Sequence, residues 1–211
     1  MADIFDLFKK ISTSDSGVKT KPEFIVAGLG NPGAEYAKTR HNAGFLALDR
    51  VAAAASVDVK QSKFKSLVAM ANIGGHSVLL MKPQTYMNLS GEAVGEAASF
   101  YKIPADHVIV ICDDICQAPG RMRVRKSGSA GGQRGLLDII NHLGTDAFPR
   151  IRIGVGEKPS PDYDLKDWVL GKFSEDEMKK LGARLDDTYD CLKLMLDGKF
   201  DDAMGIFNGK R

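Results

Sequence analysis

The sequence is short of nearly everything that would commit it to a membrane, a disulfide framework, a metal or a covalent intermediate. No apolar run approaches the roughly 18 residues that a membrane span requires. Residues 1–22 lack the continuous apolar core of a secretory signal. Together these absences predict a cytoplasmic protein. Cysteine is scarce: Cys112, Cys116 and Cys191 are an odd set with no partner at zinc spacing, so all three are expected as reduced, structural thiols. There is no G-x-S-x-G nucleophile elbow, no P-loop lysine motif, and no cysteine set beside a histidine in a familiar signature. Any hydrolytic chemistry is therefore expected to proceed by direct attack of water rather than through a covalent intermediate.

What is present is an ordinary globular composition. The chain has 211 residues, 44% hydrophobic and 27% charged, enough for one domain with a sizeable core. Its net charge of +2 says little, but the distribution says more. Gly120 to Arg134 contains Arg121, Arg123, Arg125, Lys126 and Arg134 with no acidic residue, and Arg150, Arg152 and Lys158 follow. Acidic residues crowd instead between Asp162 and Asp202. A local basic field of this kind suits a partner carrying phosphates, or else forms a solvated edge.

Residues 1–22 read as an appendage: Ile4, Phe5, Leu7, Phe8 and Ile11 suit one face of a short helix, and Ser12 to Pro22 a linker. From residue 23 onward, strand and helix patterns alternate. Phe24 to Ala27 is a short apolar strand, Ala43 to Ala55 a helix, and Gly74-Gly75 joins two strands as a hairpin. A helix over Leu89 to Tyr101 stops before Pro104, and Val108 to Cys112 is an unbroken apolar run suited to a central strand. Met122 to Arg125 reads as a polar edge strand, Leu136 to Leu143 as a helix and Ile151 to Val155 as a strand. Ser174-Glu175-Asp176-Glu177 is a capping box opening a long helix with apolar positions from Met178 to Leu196. The pattern predicts an α/β fold, a single domain over residues 23–211 with a mixed, twisted β-sheet flanked by α-helices.

Four segments carry candidate chemistry. Gly28-Leu29-Gly30-Asn31-Pro32-Gly33 matches the dinucleotide fingerprint in letters only, because Pro32 and the polar stretch Ala34 to Arg40 separate it from any helix. The alternative is a tight strand exit that presents Asn31 at the carboxyl edge of the sheet. His41 stands just before a helix, where the macrodipole favours the neutral imidazole that accepts a proton from water; a structural histidine is the competing reading. His76, His107 and His142 sit at element ends and read as surface or capping residues. Asp113-Asp114 ends the apolar strand, suited to orienting an imidazole or, less readily, to holding Mg²⁺. Asn88, before the next helix, is either a cap or a side-chain amide for substrate.

Taken in order, these segments resemble the bacterial-type peptidyl-tRNA hydrolases. The matching blocks are the Gly28–Gly33 loop with Tyr36, Thr39-Arg40-His41-Asn42-Ala43-Gly44-Phe45, and Lys82-Pro83-Gln84-Thr85-Tyr86-Met87-Asn88-Leu89-Ser90-Gly91. Asp113-Asp114, Pro119-Gly120, Gly128 to Gly132, Arg150 to Gly156 and Val169 to Phe173 complete the set, which spans about residues 23–211. The resemblance implies a cofactor-free cytoplasmic monomer that cleaves the ester between a peptide and the terminal ribose of tRNA. It implies that His41 activates water, Asp113 holds its ring, and Asn31, Tyr36, Tyr86 and Asn88 line the substrate cleft. Arg123, Arg125 and Arg152 would meet tRNA phosphates, contacts that carry little sequence information.

Two positions depart from the family pattern. Gln133-Arg134 stands where His-Asn is usual, and Cys116-Gln117 where an acidic-apolar pair is usual. Arginine has no acceptor and a fixed charge, so Arg134 cannot copy an asparagine; it is expected to donate to the ester carbonyl or to a phosphate. The competing function is that of a catalytically silent RNA-binding or splicing factor of the same fold, for which the set Asn31, His41, Asn88 and Asp113 would have no use.

Overall fold

The computed structural model describes residues 21–209, so the expected N-terminal helix and almost all of the linker lie outside the described residues. The fold is built on strands buried from both sides. β1 (Phe24–Gly28) pairs in parallel with β5 (Val108–Asp114), whose seven residues are all buried. β4 (His76–Pro83) flanks β1 and β7 (Arg150–Gly154) flanks β5, both parallel. Successive side chains point to opposite faces. Val26, Leu80, Ile109, Ile111 and Ile153 therefore build one core, and Ile25, Ala27, Leu79, Val110 and Cys112 the other. A strand covered on both faces must be apolar on both, which is why β5 reads as an unbroken run.

Antiparallel pairs close the two edges, giving the order β2-β3-β4-β1-β5-β7-β6. β3 (Ser66–Ile73) returns to β4 through Gly74-Gly75, where both residues adopt positive φ as a tight hairpin demands. β6 (Met122–Arg125) lies antiparallel to β7 and is the expected edge strand. The other edge, β2 (Gln61–Lys63), was not expected, since three polar residues carry no alternation to read.

α1 (Ala43–Ala54) and α5 (Glu175–Leu196) cover the first core, together with a terminal helix, α6 (Phe200–Phe207), that the sequence pattern did not announce. The capping box before α5 forms as expected, Ser174 and Glu177 exchanging hydrogen bonds. α2 (Ser90–Tyr101) and α3 (Arg134–Leu143) cover the second core. A short α4 (Leu165–Leu170) stands apart, too brief to show a helical period. The mixed sheet flanked by helices is the predicted architecture.

The glycine-rich exit of β1 has a packing role. A Cβ on Gly28 would lie 2.5 Å from the Gly44 carbonyl oxygen, and one on Gly44 would lie 2.3 Å from the Ile111 carbonyl oxygen. Only glycines let the start of α1 settle directly onto the ends of β1 and β5. All four parallel strands end at the same edge of the sheet, where α/β folds form their sites.

Candidate active site

The close seating of α1 decides where the histidine goes. Arg40–Asn42 forms a 3-10 turn leading into α1. Asp113 shares the face of Ile109 and Ile111, the face that α1 covers, so its carboxylate meets the histidine across 72 residues of chain. His41 Nδ1 lies 3.0 Å from Asp113 Oδ2, with side-chain exposures of 13% and 3%. A carboxylate at Nδ1 fixes the proton there and turns Nε2 outward as the acceptor.

Burial is the largest single influence on His41 and pulls its pKa down. The charge and hydrogen bond of Asp113 together outweigh burial, while the positive charge of Arg134 pulls weakly back, so the pKa lies above the ordinary 6.5. The helix-dipole argument predicts the opposite direction. It fails because a buried carboxylate in contact with the ring acts more strongly than the end of a helix.

Two asparagines flank this pair in different ways. Asn31 is buried and fully engaged: its Oδ1 accepts from the Met87 backbone N–H at 2.8 Å. Its backbone N–H donates to Asn42 Oδ1 at 2.8 Å, and its carbonyl accepts from Asn42 Nδ2 at 2.9 Å. Of these Asn31 groups the Nδ2 amide alone has no partner among the described residues, and it is left for the cleft. Asn88 lies in the 3-10 turn Met87–Leu89 and is exposed. That turn is fixed from beneath: Ser90 Oγ donates to the Met87 carbonyl at 2.8 Å, and Asp138 of α3 accepts from the Gly91 N–H at 2.6 Å. Tyr36 and Tyr86 stand at the rim, Tyr86 with 59% of its surface exposed.

The cleft has a volume of about 320 Å³, and its lining brings together Asn31, Tyr36, His41, Tyr86, Asn88, Asp113, Arg134 and Arg152 from segments far apart in sequence. One wall is α4, which contributes Leu165, Lys166, Val169 and Leu170. Arg40 fastens that wall to the histidine turn. Its guanidinium lies 3.6 Å from the Trp168 ring centroid, donates to both Glu177 carboxylate oxygens at 3.0 Å, and donates to the Lys172 carbonyl at 2.8 Å. Trp168 in turn donates from Nε1 to the Gly156 carbonyl at 2.8 Å.

The basic residues divide by strand geometry. Arg123 and Arg125 on β6 stand directly opposite Arg152 and Arg150 on β7, and all four point to one face. Like charges opposed across strands are unfavourable unless something compensates. Arg150 is buried and spends its guanidinium on the carbonyls of Gly128, Ser129, Asp146 and Phe148, bracing the glycine loop. Arg152 donates from Nε to Asp114 Oδ2 at 3.0 Å and opens onto the cleft. Arg123 is half-buried, Arg125 is exposed, and neither forms an ion pair among the described residues. Arg134, the first residue of α3, is also exposed and without an ion pair among the described residues.

Several contributors escaped sequence reasoning as site residues. Gln133 is buried, and its Nε2 donates to Asp113 Oδ1 at 3.0 Å. Arg40 has no signal beyond its neighbour His41, and the α4 wall lies in a segment with no helical period to read. No group of three or more His, Cys, Asp or Glu side chains capable of holding a metal occurs among the described residues. Asp114 is committed to Arg152 and Asp113 to His41.

Comparison with known proteins points to one family over most of the chain. Residues 25–211 match the family described as Peptidyl-tRNA hydrolase. A Peptidyl-tRNA hydrolase of Agathobacter rectalis is 48% identical over 186 residues, covering 88% of this chain and all of that protein. One from Clostridium acetobutylicum is 45% identical, covering 88% of this chain and 98% of its own. The crystal structure of peptidyl-tRNA hydrolase from Acinetobacter baumannii superposes with a TM-score of 0.84 at 35% identity, covering 92% of this chain and 98% of the other.

Proposed function

The chain belongs to the peptidyl-tRNA hydrolase family, and on that premise we propose that His41 is the general base with which it hydrolyses the ester between a peptide and tRNA. The observation that carries the assignment of roles is the 3.0 Å contact of His41 Nδ1 with buried Asp113, at the floor of a cleft lined by side-chain amides. Nε2 takes a proton from water as the water oxygen attacks the ester carbonyl carbon. The bond from that carbon to the ribose oxygen then breaks, and His41 returns the proton to the leaving oxygen. Asn31 Nδ2, the Asn88 amide and the Arg134 guanidinium are the donors available to the developing oxyanion and its neighbours. Tyr36 and Tyr86 close around the ester end.

Arg123 and Arg125 extend the basic surface along β6, away from the cleft mouth that Arg152 and Arg134 line, and on this reading they meet the phosphates of the tRNA acceptor end. On the same reading the enzyme acts as a monomer, supported by a cleft whose described lining comes from one chain, and works in the cytoplasm on peptidyl-tRNA from aborted translation. Light scattering of the purified protein tests the first of these. A catalytically silent RNA-binding role would leave the His41–Asp113 pair without a use.

The deciding experiment is release of labelled peptide from N-blocked aminoacyl-tRNA by native protein and by His41→Ala. Loss of release in the variant, with tRNA binding retained, supports the assignment. Equal release by both forms rules out His41 as the base.

A further inference from the structure

The polar contacts at the floor of the cleft form a closed circuit. His41 reaches Asp113 Oδ2, and Asp113 Oδ1 accepts from Gln133 Nε2 at 3.0 Å. The same Gln133 amide lies 3.1 Å from Met87 Sδ, and the Met87 N–H donates to Asn31 Oδ1. Asn31 is clamped by Asn42, the residue that follows His41 in the chain. Gln133 is the link in this circuit that touches Asp113 directly and to which the hydrolytic reaction gives no part.

Gln133 is also the N-cap of α3, its Oε1 accepting from the Leu136 N–H at 2.7 Å. As a cap it is an unexpected choice, because Asn, Asp, Ser and Thr fill that position with shorter side chains. The additional methylene has a visible consequence. The carboxamide spans two partners at once, its oxygen on the helix and its nitrogen on Asp113. Gln133 is only 6% exposed, so water does not compete for either contact. Asp113 consequently has both carboxylate oxygens committed, which fixes its plane as well as its position.

We propose that Gln133 is a positioning residue for catalysis: it holds the Asp113 carboxylate so that Oδ2 faces His41, and it couples that orientation to the start of α3 and to the turn bearing Asn88. The proposal rests on the reading of His41 and Asp113 as the working pair. Glutamine does not titrate, so this hold is the same at every working pH.

The substitution that separates positioning from capping is Gln133→Asn, since asparagine is a preferred N-cap but is one methylene too short to keep both contacts. Release of peptide from N-blocked aminoacyl-tRNA is measured at a temperature where circular dichroism shows every variant fully folded. The expected result is a kcat lower by roughly ten-fold, the worth of a hydrogen bond to a charged group, with KM changed by less than about two-fold. In an Asp113→Asn background the same substitution is expected to cost less than about two-fold, because the carboxylate it orients is gone. Native kcat in Gln133→Asn, or the same loss in both backgrounds, overturns the proposal and leaves Gln133 as a cap alone. If Asp113→Asn by itself leaves kcat unchanged, the pairing with His41 fails first, and that outcome is distinguishable from failure of Gln133.

Discussion

Two turns of the same kind meet at this cleft and behave in opposite ways. Arg40–Asn42 and Met87–Leu89 are both three-residue 3-10 turns, each leads into a twelve-residue helix, and each presents its middle residue to the cleft. In the first, Arg40 and Asn42 are buried and bonded, and His41 is held by Asp113. In the second, Met87 is buried and bonded, but Asn88 is exposed, Leu89 is 39% exposed and the preceding Tyr86 59%. A base must be held in place before the reaction, because misplacement raises the barrier directly. A side chain that receives a varied peptide gains from remaining open. The fold anchors both turns, but clamps the middle side chain of the first and leaves that of the second open.

The strongest way to break the contrast is to remove the clamped residue itself. His41→Gln should lower kcat by about a thousand-fold, within the range of general base catalysis, with thermal stability nearly unchanged. A loss of less than ten-fold would mean that another group accepts the proton. Next in size is the clasp behind it. Arg40→Met leaves Glu177 without its partner and Trp168 without its stacked cation, and should cost about 2 kcal/mol of stability, with kcat about ten-fold lower. Thermal unfolding and turnover, measured on one preparation, check both.

The open turn should respond differently. Asn88→Ala should raise KM several-fold and leave stability within about 0.5 kcal/mol, as its side chain has no hydrogen-bond partner to lose among the described residues. If it destabilises the protein as much as Arg40→Met, the two turns are not distinct. A smaller effect comes from Arg134, which faces the histidine from α3. A protonated imidazole cannot accept a proton, so a pKa raised above 6.5 places the acid limb of the rate profile above that value. Arg134 pulls that pKa down, so Arg134→Gln should move the limb further upward; a downward shift would contradict the charge arrangement. Smallest of all, Arg123→Ala and Arg125→Ala should each reduce the salt dependence of tRNA binding by about one phosphate contact, with kcat unchanged.

Much of this arrangement was legible in the sequence. The β5 run announced a central strand, Gly74-Gly75 a hairpin, and Ser174 to Glu177 the start of α5, since each depends on residues within a few positions of one another. Asn31, His41, Asn88 and Asp113 were visible as candidates, one by one. Their convergence was implied by the family resemblance and not by local spacing, because 72 residues separate His41 from Asp113, and 137 separate Arg40 from Glu177. Arg150 and Arg152 show the limit most clearly. Two positions apart on one strand face, they look alike in the sequence, yet one braces a loop and the other pairs with Asp114 at the cleft.

The sequence alone determined the succession of strands and helices apart from β2, α4 and α6, the absence of a serine nucleophile elbow, and the residue types available for an attack by water. Periodicity, capping and glycine placement act over a few residues and can be read from the chain. The tertiary structure decided which of those residues touch. It raised the pKa of His41 where a helix end would lower it, committed Gln133 to Asp113, and gave two arginines on one strand face different tasks. Charge and hydrogen bonding act across space, at distances that strand order and helix seating set and that sequence spacing does not contain.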